Sequence, residues 1–261
     1  MKIISLNTWG GRAGKEKLLN FFKKHANDVD VFCLQEIWSA PYEHLEGHNA
    51  GGLGINHEQI MVYGMQEISE VLPDHEVYFH PHHLDNYGLM MLVRKSLDVF
   101  ESGEVFVHKF KGFVPTGDVG EHARNVQYIS VRSGSETMTV MNFHGLWTSK
   151  PEGRWKQDIP ERLEQSDNIL KFVSEIRNPF VLCGDFNLLP DTESVKKLEN
   201  AGLRNLIKEY GITSTRTSYY TKPEKFADYA FVSKGIEVKD FQILPDEVSD
   251  HSPLFLECEV I

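Results

Sequence analysis

The sequence predicts an α/β fold: two stacked mixed sheets with helices outside them. Three observations point there. Ten segments have the length and apolar content of strands and four have helical spacing. The two kinds are interspersed without strict alternation, which argues against a simple doubly wound parallel sheet. No repeat, low-complexity tract or linker interrupts the 261 residues, so one domain over 1–261 is expected.

Taken in order, Lys2–Asn7 reads as the first strand, with Ile3, Ile4 and Leu6 ahead of Asn7. Lys15–His25 places Leu18, Leu19 and Phe22 on one helical face, and Val31–Gln35 is a strongly apolar strand. Glu58–Leu72 repeats the helical pattern with Ile60, Met61, Ile68 and Leu72. Strands follow at Glu76–His80, Gly88–Arg94, Glu104–His108, Asn125–Val131 and Thr137–His144. Pro160–Arg177 opens on a proline and spaces Leu163, Ile169, Leu170, Val173 and Ile176 helically. Phe180–Asp185, a helix over Thr192–Tyr210, and strands at Tyr229–Ser233 and Leu254–Val260 complete the set. The longest irregular stretches, Ser39–Asn56, Phe110–Ala123 and Thr148–Asp158, all follow strand ends, where long loops commonly carry function.

Composition narrows the partners. Hydrophobic residues make up 41% of the chain, enough for a substantial core, and no stretch approaches the apolar length of a membrane span. The opening "MKIISLNTWGG" reads as a strand and not as a signal peptide. Cys33, Cys183 and Cys258 lie in apolar surroundings without zinc-ligand spacing, the usage expected of reduced thiols in a cytoplasmic protein. A formal net charge of −11 weighs against nucleic acid or an anionic membrane surface, since attraction to either needs basic surface. A bound divalent ion and a local basic patch would offset that charge, so nucleic acid stays open as a partner. "HPHH" at His80–His83 reads as a solvated loop.

Polar residues recur where apolar strands begin or end. Asn7 follows the first strand, and Gln35 and Glu36 follow the second. "VMNFHGLW" places Asn142 and His144 on one face, and "VLCGDFNLLPD" places Asp185 and Asn187 two apart, aimed the same way if the chain stays extended. Asp228 precedes one strand, and Asp250 with His251 precedes the last. A lone buried acid or amide without a partner costs about 1–3 kcal/mol, so six such cases argue for a shared purpose. If Glu36, Asp185 and Asp250 converge, each pair about 4 Å apart repels by roughly 4 kcal/mol at an effective dielectric near 20. A cation would relieve that repulsion. Carboxylate and amide oxygens without thiolate suit Mg²⁺ or Mn²⁺, and protein-bound Mg²⁺ usually partners phosphate.

"LNTW", "LQEIW", "NFH", "GDFN", "FADYAFVS" and "SDHSPL" stand in the order shown by the endonuclease/exonuclease/phosphatase superfamily, and the chain resembles that family from Asn7 to His251. The family includes deoxyribonuclease I, apurinic endonucleases, neutral sphingomyelinases and inositol polyphosphate 5-phosphatases. The resemblance implies a four-layer α/β/β/α sandwich with its site at one rim of the sheets. It implies Glu36 as the principal Mg²⁺ (or Mn²⁺) ligand, aided by Asn7 and Asp250. Asp185 would orient or deprotonate the attacking water, with Asn187 holding a phosphate oxygen or positioning Asp185. Asp228 would fix the tautomer of His251, which contacts the phosphate or nucleophile, and His144 would stabilise the transition state or protonate the leaving oxygen. Arg162 and Gln165 resemble the family's helix after the histidine strand. Trp9 stands where DNA-cleaving relatives often carry an acid, so "NTW" is similar to sphingomyelinase-like and uncharacterised bacterial branches.

The expected activity is Mg²⁺-dependent hydrolysis of phosphodiesters, or of phosphomonoesters, by in-line attack of activated water. The alternatives are a DNA or RNA nuclease, a sphingomyelinase-like lipid phosphodiesterase, and an inactive binding module. Substrate contacts are expected from the long loops. Trp147 and the run Lys150, Arg154, Trp155 and Lys156 offer cations beside aromatics. Arg12 with Lys15 offers a further phosphate contact, and Asn86 and Tyr87 are expected at the rim. A monomer is the expected state.

Overall fold

Two six-stranded sheets stack face to face in the computed structural model, which describes residues 1–41, 49–50, 53–54, 56–133, 136–148 and 156–261. The first sheet runs β13 (Ile236–Ile243), β14 (Leu254–Val260), β1 (Lys2–Asn7), β2 (Val31–Trp38), β6 (Tyr87–Arg94), β5 (His75–His83). The second runs β11 (Arg204–Asn205), β12 (Asp228–Val232), β10 (Phe180–Asp185), β9 (Glu136–His144), β8 (Arg124–Ser133), β7 (Asp98–His108). Two short strands, β3 (Asn49–Ala50) and β4 (Leu53–Gly54), pair separately. Each sheet is antiparallel except for one central parallel pair, β1–β2 in the first and β9–β10 in the second. The mixed character read from the sequence is therefore present in both sheets.

Strand periodicity sorts the core into layers. Along β1 and β2, Ile3, Val31 and Cys33 face the second sheet, while Ile4, Leu6, Phe32 and Leu34 face outward. The outward set packs against Leu18, Leu19 and Phe22 of α1 (Lys15–His25) and Ile68 of α2 (Gly64–Val71). On the second sheet, Ile169 and Phe172 of α3 (Pro160–Val173) and Val195 and Leu198 of α4 (Glu193–Asn200) join the main core. This is the expected α/β/β/α sandwich. Among the described residues no helix is long and apolar enough to cross a membrane.

Several elements differ from the sequence reading, each for a local reason. The helix expected over 58–72 begins only at Gly64. Ahead of it the Asn56 side chain accepts the Glu58 N–H, and Met61 N–H donates to the Gly10 carbonyl at 2.8 Å, so this segment wraps the turn after β1 instead of coiling. The helix expected over 192–210 stops at Asn200, because Gly202 (φ 93°) turns the chain back. Arg204–Asn205 then pair with β12, and Asn205 caps α5 (Leu206–Glu209) through the Ile207 N–H. "HPHH" is no solvated loop: it closes β5, and His82 and His83 are buried at 2% and 3% exposure. β13 was hidden by its polar residues, since Glu237, Lys239, Asp240 and Gln242 fill an edge strand with a register shift near Lys239.

What positions the site is the seam between the sheets. Gln35 Nε2 donates to Asn142 Oδ1 at 2.7 Å, and Asn142 Nδ2 donates to the Leu34 carbonyl at 2.9 Å, with both side chains fully buried. Asn142 thus belongs to this seam, on the face of β9 that it shares with His144, whose Nε2 lies nearer the rim, 4.0 Å from Glu36 Oε1. Gly184 lies where β9 and β10 touch; its φ is 142°, and a Cβ there would sit 1.9 Å from the Phe143 carbonyl oxygen. Gly184→Ala is expected to destabilise the fold by about 3 kcal/mol or more, read as a lower urea midpoint; an unchanged midpoint would refute the close approach.

Candidate active site

The central parallel pairs deliver their ends to one rim. Asn7 pairs with Gln35 at the end of β1–β2, and His144 pairs with Asp185 at the end of β9–β10. Asp228, first residue of β12, is the antiparallel partner of Asp185. Glu36 lies in a β-bulge between Leu34 and Ile37 with φ 60°, which re-aims its carboxylate from the strand face to the rim. At the end of β10, Phe186 turns into the core at 1% exposure while Asn187 takes φ 53°. Asp185 and Asn187 therefore share the rim by a kink, not by extension.

Asp185 sits at the centre. Its Oδ2 accepts from Asn7 Nδ2 at 2.9 Å, and its Oδ1 accepts the Asn187 backbone N–H at 2.9 Å. His251 Nε2 and His144 Nε2 lie 3.6 Å and 3.7 Å from the same Oδ2. The Asn7 amide also reaches Glu36 Oε1 at 3.0 Å, and His144 Nε2 lies 4.0 Å from that oxygen. His251 Nδ1 donates to both oxygens of Asp228, at 2.8 and 2.9 Å, which turns Nε2 toward Asp185. Asp250 accepts Arg216 Nη1 at 3.1 Å on Oδ2, and its Oδ1 lies 3.8 Å from His251 Nε2.

Electrostatics separate these groups. Burial works to raise the Asp185 pKa, but His251, His144, Lys156 and Arg216 outweigh it and hold the carboxyl well below the usual range. Glu36 moves the other way: desolvation raises it, the Asn7 hydrogen bond and His251 resist, and Asp250 and Asp185 add to the rise. Burial, then Arg124, drive His144 down to about 3, so it is neutral. Burial and Arg216 act against protonation of His251, yet Asp228, Asp250 and Asp185 prevail and raise it. Lys156 is lowered by burial and by Arg216 to about 7.

The donor set suits a hard divalent ion. Glu36 and Asp185 direct carboxylate oxygens to a common place, where both accept from the Asn7 amide. Asn7 is turned with its amine toward both carboxylates and its Oδ1 on the Trp9 N–H at 2.9 Å, and Asp250 is shared with Arg216. Glu36 and Asp185 are thus the better-placed ligands of the set. Asp185, Asp228 and His251 also bring one donor atom each within 4.8 Å of one another, but Asp228 is committed to His251.

One cleft joins the constellation to the expected contacts. Arg12, Tyr87 and Trp147 line it, along with Glu36, Asp185, Asn187, Asp250, His144 and His251. Asn86 does not; it sits in the turn before β6, where its carbonyl accepts the Ser39 N–H. Lys150, Arg154 and Trp155 lie outside the described residues. The structure adds Arg124, Arg216 and Tyr220 to the lining. Arg124 carries a signal like that of the acids, a charged residue opening an apolar strand, whereas Arg216 lies in a polar run with no pattern to mark it. Arg162 Nε and Gln165 Oε1 hold the Leu146 carbonyl and N–H at 3.1 Å each, fixing the chain just past His144.

The sequence profile of the Endonuclease/Exonuclease/phosphatase family matches residues 4–251. The chain belongs to this family. No curated protein sequence gives a significant match. Solved structures share the family's fold at low identity. A mannosyl-6-phosphatase of Bacteroides thetaiotaomicron superposes with TM-score 0.73 at 16% identity, covering 99% of each chain. D. rerio TDP2 complexed with a single-strand DNA product gives 0.67 at 18%, covering 100% of this chain and 99% of that one. The human Nocturnin catalytic domain with bound sulfate anion gives 0.65 at 17%, over 100% and 93%.

Burial also holds His82 and His122 well below the ordinary histidine pKa, with Arg124 adding to it. A depressed folded pKa means that the unfolded chain binds more protons. Their contribution is therefore intact above the unfolded value of about 6.5 and is lost as pH falls below it. His251, with its raised pKa, contributes in the opposite sense. Melting temperature should fall between about pH 7 and about pH 5, and His82→Gln should flatten that slope; parallel slopes would refute the assignment.

Proposed function

We propose that the chain is a Mg²⁺- or Mn²⁺-dependent phosphoester hydrolase that attacks phosphorus in line with an activated water. The observation that carries this is Asp185, a carboxylate held by Asn7 and Asn187 and flanked at 3.6–3.7 Å by the Nε2 atoms of His251 and His144. When bound at Glu36 and Asp185, the ion supplies Lewis-acid charge neutralisation at the phosphoryl group. The rest is done by the chain. Asp185 stays ionised and orients the water by accepting its hydrogen bond. His251, its Nδ1 proton on Asp228, offers a protonated Nε2 to a phosphate oxygen. Neutral His144 aims Nε2 at the same place, and the Asn187 amide supports the backbone turn by donating to the Gly145 carbonyl at 3.3 Å.

Small phosphoesters are favoured over duplex nucleic acid as the substrate class. The net charge of −11 disfavours a polyanion. The neighbours span both classes, a mannosyl-6-phosphatase and a protein carrying a DNA product. The buried, unpaired Cys33, Cys183 and Cys258 support a cytoplasmic setting.

Wild type should hydrolyse p-nitrophenyl phosphate or its bis ester with Mg²⁺, and EDTA should stop it. Asp185→Asn and Glu36→Ala should each lower kcat by at least about 10²-fold without loss of fold. Retained activity in either variant would end the reading. Asp228→Asn should cost roughly 10³-fold, because the His251 tautomer is then no longer fixed; a change under about threefold would show that Asp228 only fills space.

A further inference from the structure

We propose that Arg216 reserves Asp250 for itself, so that the rim takes a single divalent ion at Glu36 and Asp185 and has no second ion site. This deepens the metal-dependent reading above and rests on it. Arg216 acts through Asp250, as a positioning residue.

Glu36, Asp185, Asp228 and Asp250 all reach the rim, but they are answered differently. Asp228 gives both oxygens to His251 Nδ1, at 2.8 and 2.9 Å. Asp250 Oδ2 accepts from Arg216 Nη1 at 3.1 Å, and its Oδ1 accepts from the Ser249 hydroxyl at 3.5 Å. Among the described residues, the hydrogen bonds that Glu36 and Asp185 accept come from neutral amides, the Asn7 side chain and the Asn187 N–H. Two carboxylates without a hydrogen-bonded cation leave two negative charges, which one divalent ion neutralises.

The Arg216–Asp250 pair is built in from both sides. The two side chains are only 6% and 11% exposed. Arg216 forms an antiparallel bridge with His251, the residue after Asp250, and the Thr217 N–H donates to the Asp250 carbonyl at 3.3 Å. The guanidinium lies 3.9 Å from the centre of the Tyr220 ring, whose hydroxyl donates to Glu224 at 3.3 Å. Its Nε has no hydrogen-bond partner among the described residues, so the contact with Asp250 is what answers its charge. An ion that took Asp250 would strand a buried guanidinium and sit beside it, a costly exchange on both counts.

Without Arg216 the rim would offer a second place. His251 Nε2 lies 3.6 Å from Asp185 Oδ2 and 3.8 Å from Asp250 Oδ1, so these two carboxylates flank one spot. An unpaired Asp250 near Asp185 would bring back the like-charge repulsion that draws in a cation. Arg216 thus supplies, from a fixed side chain, the charge that a second ion would bring.

The test counts Mn²⁺ bound to the full chain by titration calorimetry, with no substrate present. Wild type should bind one ion per chain. Arg216→Met keeps a long side chain against Tyr220 but removes the charge, and it should bind two. Arg216→Lys should return the count to one, because the pair uses a single N–H and a point charge suffices. Arg216→Met/Asp250→Asn removes the pair without changing net charge. It should bind one ion within about threefold of wild-type affinity, whereas loss of a true ligand would cost at least about tenfold. Two ions in wild type, one in folded Arg216→Met, or a loss of about tenfold or more in the double variant would each overturn the role of Arg216. Where Arg216→Met alone does not fold, the double variant decides. A wild type that binds no divalent ion would instead end the metal-dependent reading itself.

Discussion

The Asn7 amide bridges Glu36 on its own sheet and Asp185 on the other, and the rim is organised around that bridge. It forms only if two sheets meeting face to face hold their relative register to within a hydrogen bond. Ordinary apolar packing does not supply that, because hydrophobic contacts are non-directional. The Gln35–Asn142 hydrogen bond does, since a slip would leave two fully buried amides unpaired. Specificity of sheet stacking and placement of the carboxylates thus come from the same few buried amides.

The rim is also where the backbone departs from its easy conformations. Trp9, Glu36, Asn187 and Lys156 all have φ between 52° and 59–60°, and all four line the cleft. Such residues cost about 1–3 kcal/mol each and persist where the surroundings over-determine them. Here the surroundings are specific. Trp9 N–H is held by Asn7, Asn187 N–H by Asp185, and the Glu36 bulge is anchored by Thr8, whose hydroxyl donates to the Gln35 carbonyl at 3.0 Å. Side chains that converge on the carboxylate cluster and side chains that hold strained backbone are, in this rim, largely the same.

This explains what the sequence could and could not reveal. The apolar runs of β1, β2 and β10 marked the strands, because burial leaves a local pattern. The terminal Asn7, Glu36, His144, Asp185, Asp228 and His251 were legible for the same reason: a polar residue stands out against an apolar strand. Arg216 was not, because it reaches Asp250 from an irregular segment and its role depends on a contact 34 residues away. The buried His82 was misread because "HPHH" is polar in composition, and only the stacking of β5 beneath the 119–122 turn shows that it is enclosed. Asn142 and His144 do share one face of β9, but alternation could not show that Asn142 would be spent on the seam with Gln35.

The two histidines beside Asp185 show how environment divides labour within one residue type. Both are buried and both have Nε2 within 4 Å of the same carboxylate oxygen. His251 is surrounded by Asp228, Asp250 and Asp185, so its proton is retained; His144 faces Arg124 as well as Asp185, and burial decides in favour of the neutral ring. Environments that push two titratable groups apart are the physical basis of assigning one as charge donor and the other as neutral partner. His144 Nδ1 has no hydrogen-bond partner among the described residues, so no carboxylate fixes its tautomer as Asp228 fixes that of His251.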